Sequence, residues 1–146
     1  MTIKIKHAYG LGKIQQDARM IRQAVFVEEQ GFSARDEYDH LDSTTIHIVA
    51  YTNTQAVATA RLHEEQLGTW HIQRVATLAS MRHQGIGRLL FDEIEALAPQ
   101  FNVNTLTLGA QLQARHFYDQ LGFNSHGDIF LDANVPHIEM IKLLNR

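Results

Sequence analysis

The chain has 146 residues, about the size of one domain, and no cysteine, so disulfides, cysteine-ligated metals and a cysteine nucleophile are excluded. Its net charge of −3 and pI near 6.3 argue against a face that binds duplex nucleic acid. No apolar run approaches the roughly 20 residues of a membrane span, and the first residues lack a signal-peptide core. We therefore expect one cytoplasmic domain over residues 1–146.

The first half of the chain predicts one helix among four strands. Residues 3–7 form the first strand, and residues 14–27 form a helix whose apolar residues recur on one face. The segment 31–42 is predicted as a loop or a short second helix. The other three strands are predicted over residues 46–51, 56–63 and 69–78.

The second half of the chain alternates strands and helices. A helix over residues 85–98 is closed by Pro99, and a helix over residues 111–121 stops at Gly122. Further strands are predicted over residues 105–108, 127–130 and 137–144. Strands that meander first and then alternate with helices predict a mixed α/β fold with a central sheet.

Acidic residues are concentrated between residues 28 and 42, where Arg35 is the single base. The acids are Glu28, Glu29, Asp36, Glu37, Asp39 and Asp42. Two interpretations are open. The segment is either a solvated acidic loop or an acidic mouth that attracts a cationic substrate.

The stretch from Trp70 to Phe91 contains neither Asp nor Glu, although acids flank it on both sides. It begins as an alternating strand, passes through a loop and becomes a helix at Gly85-Ile86-Gly87. Backbone N–H groups point out of a helix N-terminus, and the helix dipole adds roughly half a positive charge there. Glycine permits both the turn and the close approach of a ligand to the backbone. The sequence therefore predicts an anion site of the kind that holds phosphate.

Several other site motifs are absent from this sequence or incomplete in it. A dinucleotide fingerprint would need a third glycine at the position of Leu90, and no Gly-Lys-Ser/Thr is present for a P-loop. The run from His63 to Leu67 begins like a zinc-protease helix but has Leu67 in place of the second histidine, and no Gly-x-Ser-x-Gly elbow occurs. The nine histidines are scattered, so we expect no metal site.

Two motifs in this chain match those of one family. Arg82-His83-Gln84-Gly85-Ile86-Gly87, after the strand Gln73-Arg74-Val75-Ala76-Thr77, resembles the acetyl-CoA pyrophosphate loop of the GNAT superfamily of N-acetyltransferases. The segment from Ala114 to Phe123 resembles that family's second motif, Ala-x-x-x-Tyr-x-x-x-Gly-Phe at the exit of a helix. The two lie in the family's order, about 30 residues apart, and the resemblance covers nearly the whole chain. The segments 25–30, 110–111 and 136–140 are similar to the small ElaA-like branch.

The resemblance implies the GNAT fold of acyl-CoA N-acyltransferases. That fold is mixed α/β, with a mostly antiparallel twisted sheet that splays at strand four and about four flanking helices. It implies acetyl-CoA as the acyl donor, with no metal. On that fold the backbone of Val75 and Thr77 pairs with pantetheine, and an N–H near Val75–Ala76 stabilises the oxyanion.

The resemblance also implies which residues hold the pyrophosphate. The N–H groups come from Gln84, Gly85, Ile86 and Gly87, while Arg82 and Arg88 add positive charge. Solvated side chains are the open alternative for the two arginines. The remaining cofactor residues that the resemblance implies are His83, Gln111, Ala114 and Phe117. His83 stands where many members have glycine, so it adopts either an uncommon backbone conformation or an ordinary one.

Tyr118 and Glu29 are the catalytic candidates. By spacing alone an aromatic residue at position 118 packs in the core, but the family's tyrosine at this place commonly serves as general acid. Glu29, at the exit of the first helix, is the candidate base, acting directly or through water, with an ordinary surface acid as the alternative. Arg61, His63 and His137 lie on strands that could line an acceptor cleft, although alternation does not fix which face they use.

These observations lead us to expect an enzyme that transfers an acetyl group from acetyl-CoA to a primary amine of a small molecule. Because no cysteine is available for a covalent intermediate, direct attack in a ternary complex is favoured. The alternatives are acetylation of a protein or peptide, and a non-catalytic module that senses acyl-CoA. The expected partner is a small-molecule amine, with no nucleic acid and no membrane, and a homodimer is left open.

Overall fold

The computed structural model describes residues 2–144, while residues 1, 145 and 146 of the predicted domain and the side chain of Asp36 lie outside its description. Seven strands form one sheet in the order β1-β2-β3-β4-β5-β7-β6. The strands are β1 (Ile3–Tyr9), β2 (Ile46–Thr52), β3 (Gln55–Gln66), β4 (Thr69–Thr77), β5 (Thr105–Gln111), β6 (Asn124–Asp132) and β7 (Val135–Leu143). The mixed α/β fold predicted from the sequence is confirmed.

The sheet splays in its middle, between β4 and β5. These two strands pair in parallel, whereas the other neighbouring strands in the described residues pair antiparallel. The parallel pairing runs from Thr69 and Thr105 to Ile72 and Leu108 and stops there. The last residues of both strands therefore leave backbone groups facing a gap, as the resemblance implied.

Four α-helices accompany the sheet in the described part of the chain. They are α1 (Lys13–Arg22), α2 (Ala34–Glu37), α3 (Ile86–Leu97) and α4 (Arg115–Gln120). The first of them continues directly into a π-helical turn, Gln23–Glu29. None of the helices within residues 2–144 is long and apolar enough to cross a membrane.

Alternation along the strands gives the sheet two buried faces. On β2, Ile48 packs with Phe91 and Ile94 of α3, while the next residue, Val49, packs with Ala18 of α1. Successive side chains of a strand point to opposite sides of the sheet. Helix α1 therefore covers one side, here termed the α1 face, and helix α3 covers the other, the α3 face.

The helix predicted over residues 111–121 begins later than its apolar spacing indicates. Gln111 is the last residue of β5, a 3-10 turn covers Leu112–Ala114, and α4 starts at Arg115. Gln111 stays in the strand because β7 lies beside it, with His137 as its partner in the register. The same strand pairing lengthens β6 at both ends beyond the predicted residues 127–130.

Candidate functional site

A cavity of about 1040 Å³ opens where β4 and β5 diverge. The predicted cofactor residues that line it are Val75, Ala76, Thr77, Arg82, His83, Gly85, Ile86, Gly87, Arg88, Gln111, Ala114 and Phe117. Tyr118 lines it as well, but Gln84 and Glu29 do not. Gln84 instead turns its side-chain amide towards the carbonyl of Ser80, at 3.4 Å.

The β4 wall of this cavity carries a bulge. The register pairs Gln73 with Arg61 and then Ala76 with Thr59, so Arg74 and Val75 together oppose a single residue of β3. Arg74 has a positive φ of 55°, which turns the strand locally. Bulges commonly lie beside active sites because they re-aim the groups that follow. The bulge lies directly at Val75–Ala76, where the oxyanion donor is expected.

The backbone of Thr77 is only partly available to a ligand. Its carbonyl accepts a hydrogen bond from Arg82 Nε at 3.0 Å. The carbonyl oxygen has a second lone pair, so the pairing of Thr77 with pantetheine stays a prediction. The bond ties the loop that starts at Arg82 to the end of β4.

The N-terminus of α3 is open. Its N-cap residue, Gly85, has a φ of 79°, no side chain caps the helix, and its first turn holds no acid. A Cβ added at Gly85 would meet nothing within 4 Å. The first N–H groups of a helix lack partners within the helix, so those of α3 are available to an anion. His83 has a φ of 62° and thus adopts the uncommon left-handed conformation, which decides the alternative left by the sequence.

Gly87 has a different role from Gly85. It does not adopt a positive φ, but a Cβ there would lie 3.1 Å from Cζ of Phe117. Glycine therefore lets an aromatic ring pack closely against the first turn of α3, and a larger residue would require the ring to shift. This ring stacks edge-on against both Phe91 and Tyr118, so it connects the helix start with the aromatic core.

The two arginines beside the helix start differ in their partners. Arg82 makes a two-pronged ion pair with Glu29, with both N–O distances at 2.6 Å. Arg88 lines the cavity and makes no hydrogen bond or ion pair with any described residue. Hydrogen bonds from Arg82 hold the pKa of Glu29 below its usual range, since they favour the carboxylate. A lowered pKa makes Glu29 a weaker proton acceptor, so its assignment as base stays a prediction.

Tyr118 packs in the core, as its spacing predicts, and it also lines the cavity, while its role as general acid stays a prediction. Its ring is buried and packs edge-on against Phe91, Phe117 and Phe123. Its hydroxyl makes no hydrogen bond with the described residues, and the residue lines the cavity. Burial raises the pKa of the hydroxyl, which keeps it protonated and available as a donor.

Within the acidic segment, Glu37, Asp39 and Asp42 are paired with arginines, and Glu37 also lines the cavity. These three acids and three arginines form an ionic network, defined as Arg22, Arg61, Arg74, Glu37, Asp39 and Asp42. Representative distances are 3.0 Å from Arg22 Nη1 to Asp42 Oδ1 and 2.9 Å from Arg61 Nη1 to Asp39 Oδ1. The side chains of Arg22 and Arg61 are each 1% exposed.

The network explains the titration of its most enclosed aspartate. Burial alone would raise the pKa of Asp42, but hydrogen bonds from Gln15 and the arginines and the charge of Arg22 lower it to about 2. One feature of the sequence indicated that Arg22 belongs to a buried network. Arg22 follows Ala18 at a spacing of four and Ile21 directly, so it lies on the buried side of α1.

The part of the cavity away from α3 is lined by another set of side chains. They are Phe26, Gln30, Phe32, His71, Gln73, Phe130, Asp132, His137 and Glu139. Of the three strand residues considered for an acceptor cleft, His137 lines the cavity, Arg61 belongs to the ionic network, and His63 is not among the lining residues. Sequence alternation could not distinguish them.

Comparisons with known proteins agree with this geometry. Residues 15–144 match the family model described as an acetyltransferase (GNAT) domain. The uncharacterised N-acetyltransferase YjcF of Bacillus subtilis is 34% identical over 128 residues, which cover 87% of this chain and 91% of YjcF.

Two crystal structures are similar along nearly their whole length. A protein from Lactobacillus plantarum superposes with a TM-score of 0.92 at 28% identity, covering 99% of this chain and 100% of that one. Escherichia coli ElaA superposes with a TM-score of 0.84 at 27% identity, covering 97% and 99%. The resemblance to the ElaA-like branch is confirmed, and this chain belongs to the GNAT family of acetyltransferases.

Proposed function

We propose that this protein transfers an acetyl group from acetyl-CoA to the primary amine of a small molecule, by direct attack in a ternary complex. The GNAT fold binds acyl-CoA. One observation carries the proposal: a single cavity joins the bulged edge of β4, the uncapped start of α3 and Tyr118. These are the groups that a thioester, a pyrophosphate and a departing thiolate would need.

The proposed donor site uses mainly the backbone. The N–H groups at the start of α3 hold the pyrophosphate together with the charge of Arg88, and Arg82 joins them if the phosphate draws it from Glu29. The free edge near Val75 and Ala76 holds the pantetheine arm and donates an N–H to the oxyanion. Phe117 and Ala114 provide the apolar wall along which the arm runs.

The proposed reaction balances without a cofactor beyond the donor. The amine nitrogen attacks the thioester carbonyl carbon, a C–N bond forms, and the amine loses one proton to a base. The C–S bond then breaks with its electron pair on sulfur, and the hydroxyl of Tyr118 supplies the proton that makes the free thiol. Solvent returns the proton to Tyr118.

The shape of the cavity favours a small acceptor over a peptide. Gln111 at the end of β5 donates a hydrogen bond of 3.1 Å to the side chain of Gln30, which follows the π-helical turn. This bond joins two residues that line the cavity from different elements of the fold. A small amine is therefore the acceptor that we expect this site to bind.

The test is the release of free CoA thiol from acetyl-CoA in the presence of a panel of amines and amine-bearing peptides. We expect amine-dependent release with at least one class of small primary amine. Release with peptides alone would support a protein acetyltransferase instead. Tight binding of acetyl-CoA without amine-dependent release across the panel would support the acyl-CoA sensor.

Tyr118→Phe tests the acid while keeping the aromatic packing. We expect kcat to fall by about 100-fold or more, with acetyl-CoA affinity changed by less than about twofold, since only the hydroxyl is removed. Steady-state kinetics and calorimetric titration measure the two quantities. Tyr9→Phe, at an exposed position on β1, is the matched control. Unchanged turnover in Tyr118→Phe would exclude the role.

A further inference from the structure

The ring of His137 lies at the point where the sheet splays. On β5, Gly109 follows Leu108, the last residue that pairs with β4. A Cβ placed on Gly109 would lie 4.0 Å from Cδ2 of His137 and 3.2 Å from Cζ of Phe130. His137 is 7% exposed and lines the cavity. The absence of a side chain at Gly109 thus makes room for the ring of Phe130, and the imidazole of His137 lies in van der Waals range of the same position, beside the gap between β4 and β5.

Its hydrogen bond fixes the tautomer of this imidazole. Nδ1 of His137 lies 2.7 Å from the backbone carbonyl oxygen of Val135. A carbonyl oxygen only accepts, so Nδ1 carries the hydrogen and Nε2 of the neutral ring keeps its lone pair. Within the described part of the chain, Nε2 makes no hydrogen bond. In the neutral ring, Nε2 is therefore the unprotonated nitrogen and can accept a proton.

The orientation of the ring is also held. Phe130 stacks on it, with the ring centroids 5.7 Å apart and an interplanar angle of 27°. On β7 the next residue, Ile138, packs in the core cluster that contains Tyr118. Because neighbouring side chains alternate, His137 lies on the α1 face while Ile138 lies on the α3 face with Tyr118. A thioester in the splay would have Tyr118 on one side and His137 on the other.

Three other candidate proton acceptors near the cavity are less well placed. Glu29 does not line it and is paired with Arg82. Glu139 lies 3.0 Å from Nδ1 of the exposed His126. His71 faces the hydroxyl of Thr107 at 2.8 Å, and a hydroxyl both donates and accepts, so this contact does not fix a tautomer.

We propose that Nε2 of His137 is the catalytic base of this enzyme, a proposal that rests on the proposed acetyl transfer. Nε2 first takes a proton from the ammonium form of the acceptor. The neutral nitrogen then attacks the thioester from the α1 face, and the proton that it loses as the C–N bond forms passes to solvent. The electron pair of the C–S bond leaves with sulfur, which takes its proton from Tyr118 on the α3 face. Solvent removes the proton from the imidazolium and restores the tyrosine hydroxyl.

The experiment compares His137→Gln with His7→Gln, a matched change at an exposed histidine of β1 that does not line the cavity. Each variant is assayed with a strongly basic alkylamine and with a weakly basic acceptor such as a hydrazide, whose nitrogen is already deprotonated at neutral pH. For His137→Gln we expect kcat/KM to fall by about 100-fold or more with the alkylamine and by much less with the hydrazide. Added imidazole should restore part of the lost rate, and His7→Gln should retain activity within a few-fold.

The outcomes separate this inference from the function on which it rests. Equal losses with both acceptors and no rescue by imidazole would show a structural role for His137 and overturn the proposal. An unchanged rate would overturn it as well. If the unaltered enzyme binds acetyl-CoA but transfers to no amine, the proposed function fails and the inference fails with it.

Discussion

Two charged regions of this protein are used in opposite ways. The anion-binding loop, residues 82–87 with the first turn of α3, has a glycine N-cap, an uncapped helix start and open space in front of it. In the ionic network, by contrast, three arginines from α1, β3 and β4 neutralise three acids of the 37–42 segment, including Arg74 and Glu37, which line the cavity.

The comparison of the network with the loop shows which kind of charged segment indicates a ligand-binding site. Charged side chains that pair with other side chains of the protein stabilise the fold. The number of such charges therefore does not identify a substrate. Backbone donors at a helix start have no such partner unless a side chain caps them. We therefore expect changes in the network to alter stability and changes in the loop to alter the binding of acetyl-CoA.

The largest effect is expected where one buried charge of the network is removed. Arg22→Met should lower the free energy of unfolding by about 3–5 kcal/mol, because Glu37 and Asp42 would be left without a main partner. Urea denaturation measures the change. Arg35→Met, at an exposed arginine of α2, should shift it by no more than about 0.5 kcal/mol. Similar losses in both variants would contradict the structural role of the network.

The second-largest effect is expected from low pH, which should weaken the network by protonating Asp42. The pKa of Asp42 is about 2 in the folded protein, below its ordinary value of 3.8, so folding favours the carboxylate. The stabilisation is present above pH 4 and is lost as the pH falls from about 4 towards 2, amounting to about 2 kcal/mol. Urea denaturation at a series of pH values measures this slope. Asp42→Asn should be less stable at neutral pH and show a flatter slope, and curves parallel to the unaltered protein would contradict the assignment.

Two glycines with the same backbone conformation, one in the loop and one outside it, test whether the loop binds acetyl-CoA. Gly85 and Gly31 both have a φ of 79°, and a Cβ on either would meet nothing within 4 Å. Alanine should cost about 1 kcal/mol of stability at each position through backbone strain alone. We expect Gly85→Ala also to weaken acetyl-CoA binding about tenfold, because Gly85 lines the cavity at the helix start and Gly31 does not. Calorimetric titration that finds equal affinities in the two variants would place the pyrophosphate elsewhere.

The smallest effect is expected at the ion pair that adjoins the loop. Glu29→Gln should release Arg82 and tighten acetyl-CoA binding by a few-fold, with kcat changed by less than about threefold. Kinetics and titration on the same preparation measure both. A fall in kcat by about 100-fold would instead identify Glu29 as the base and would replace the assignment to His137.

Much of the candidate site could be predicted from short stretches of the chain. The strand, the loop and the helix between Trp70 and Leu97 follow from alternation, glycine and helical spacing, and the structure has all three. Tyr118 was identified from a motif around it. The end of β5 at Gln111 could not be, because that strand is extended by β7, whose residues lie more than twenty positions further along.

The sequence by itself determined the mixed α/β fold, the uncapped helix start and the membership in the GNAT family. Periodicity, glycine and capping act between residues a few positions apart, so they are visible along the chain. The tertiary structure alone decided which charges are paired and which face each strand residue uses. Arg82 meets Glu29 across 53 positions, and Arg74 meets Asp39 across 35. Such pairs form only when strands and helices pack together, and so the free Nε2 of His137 was visible only in the assembled fold.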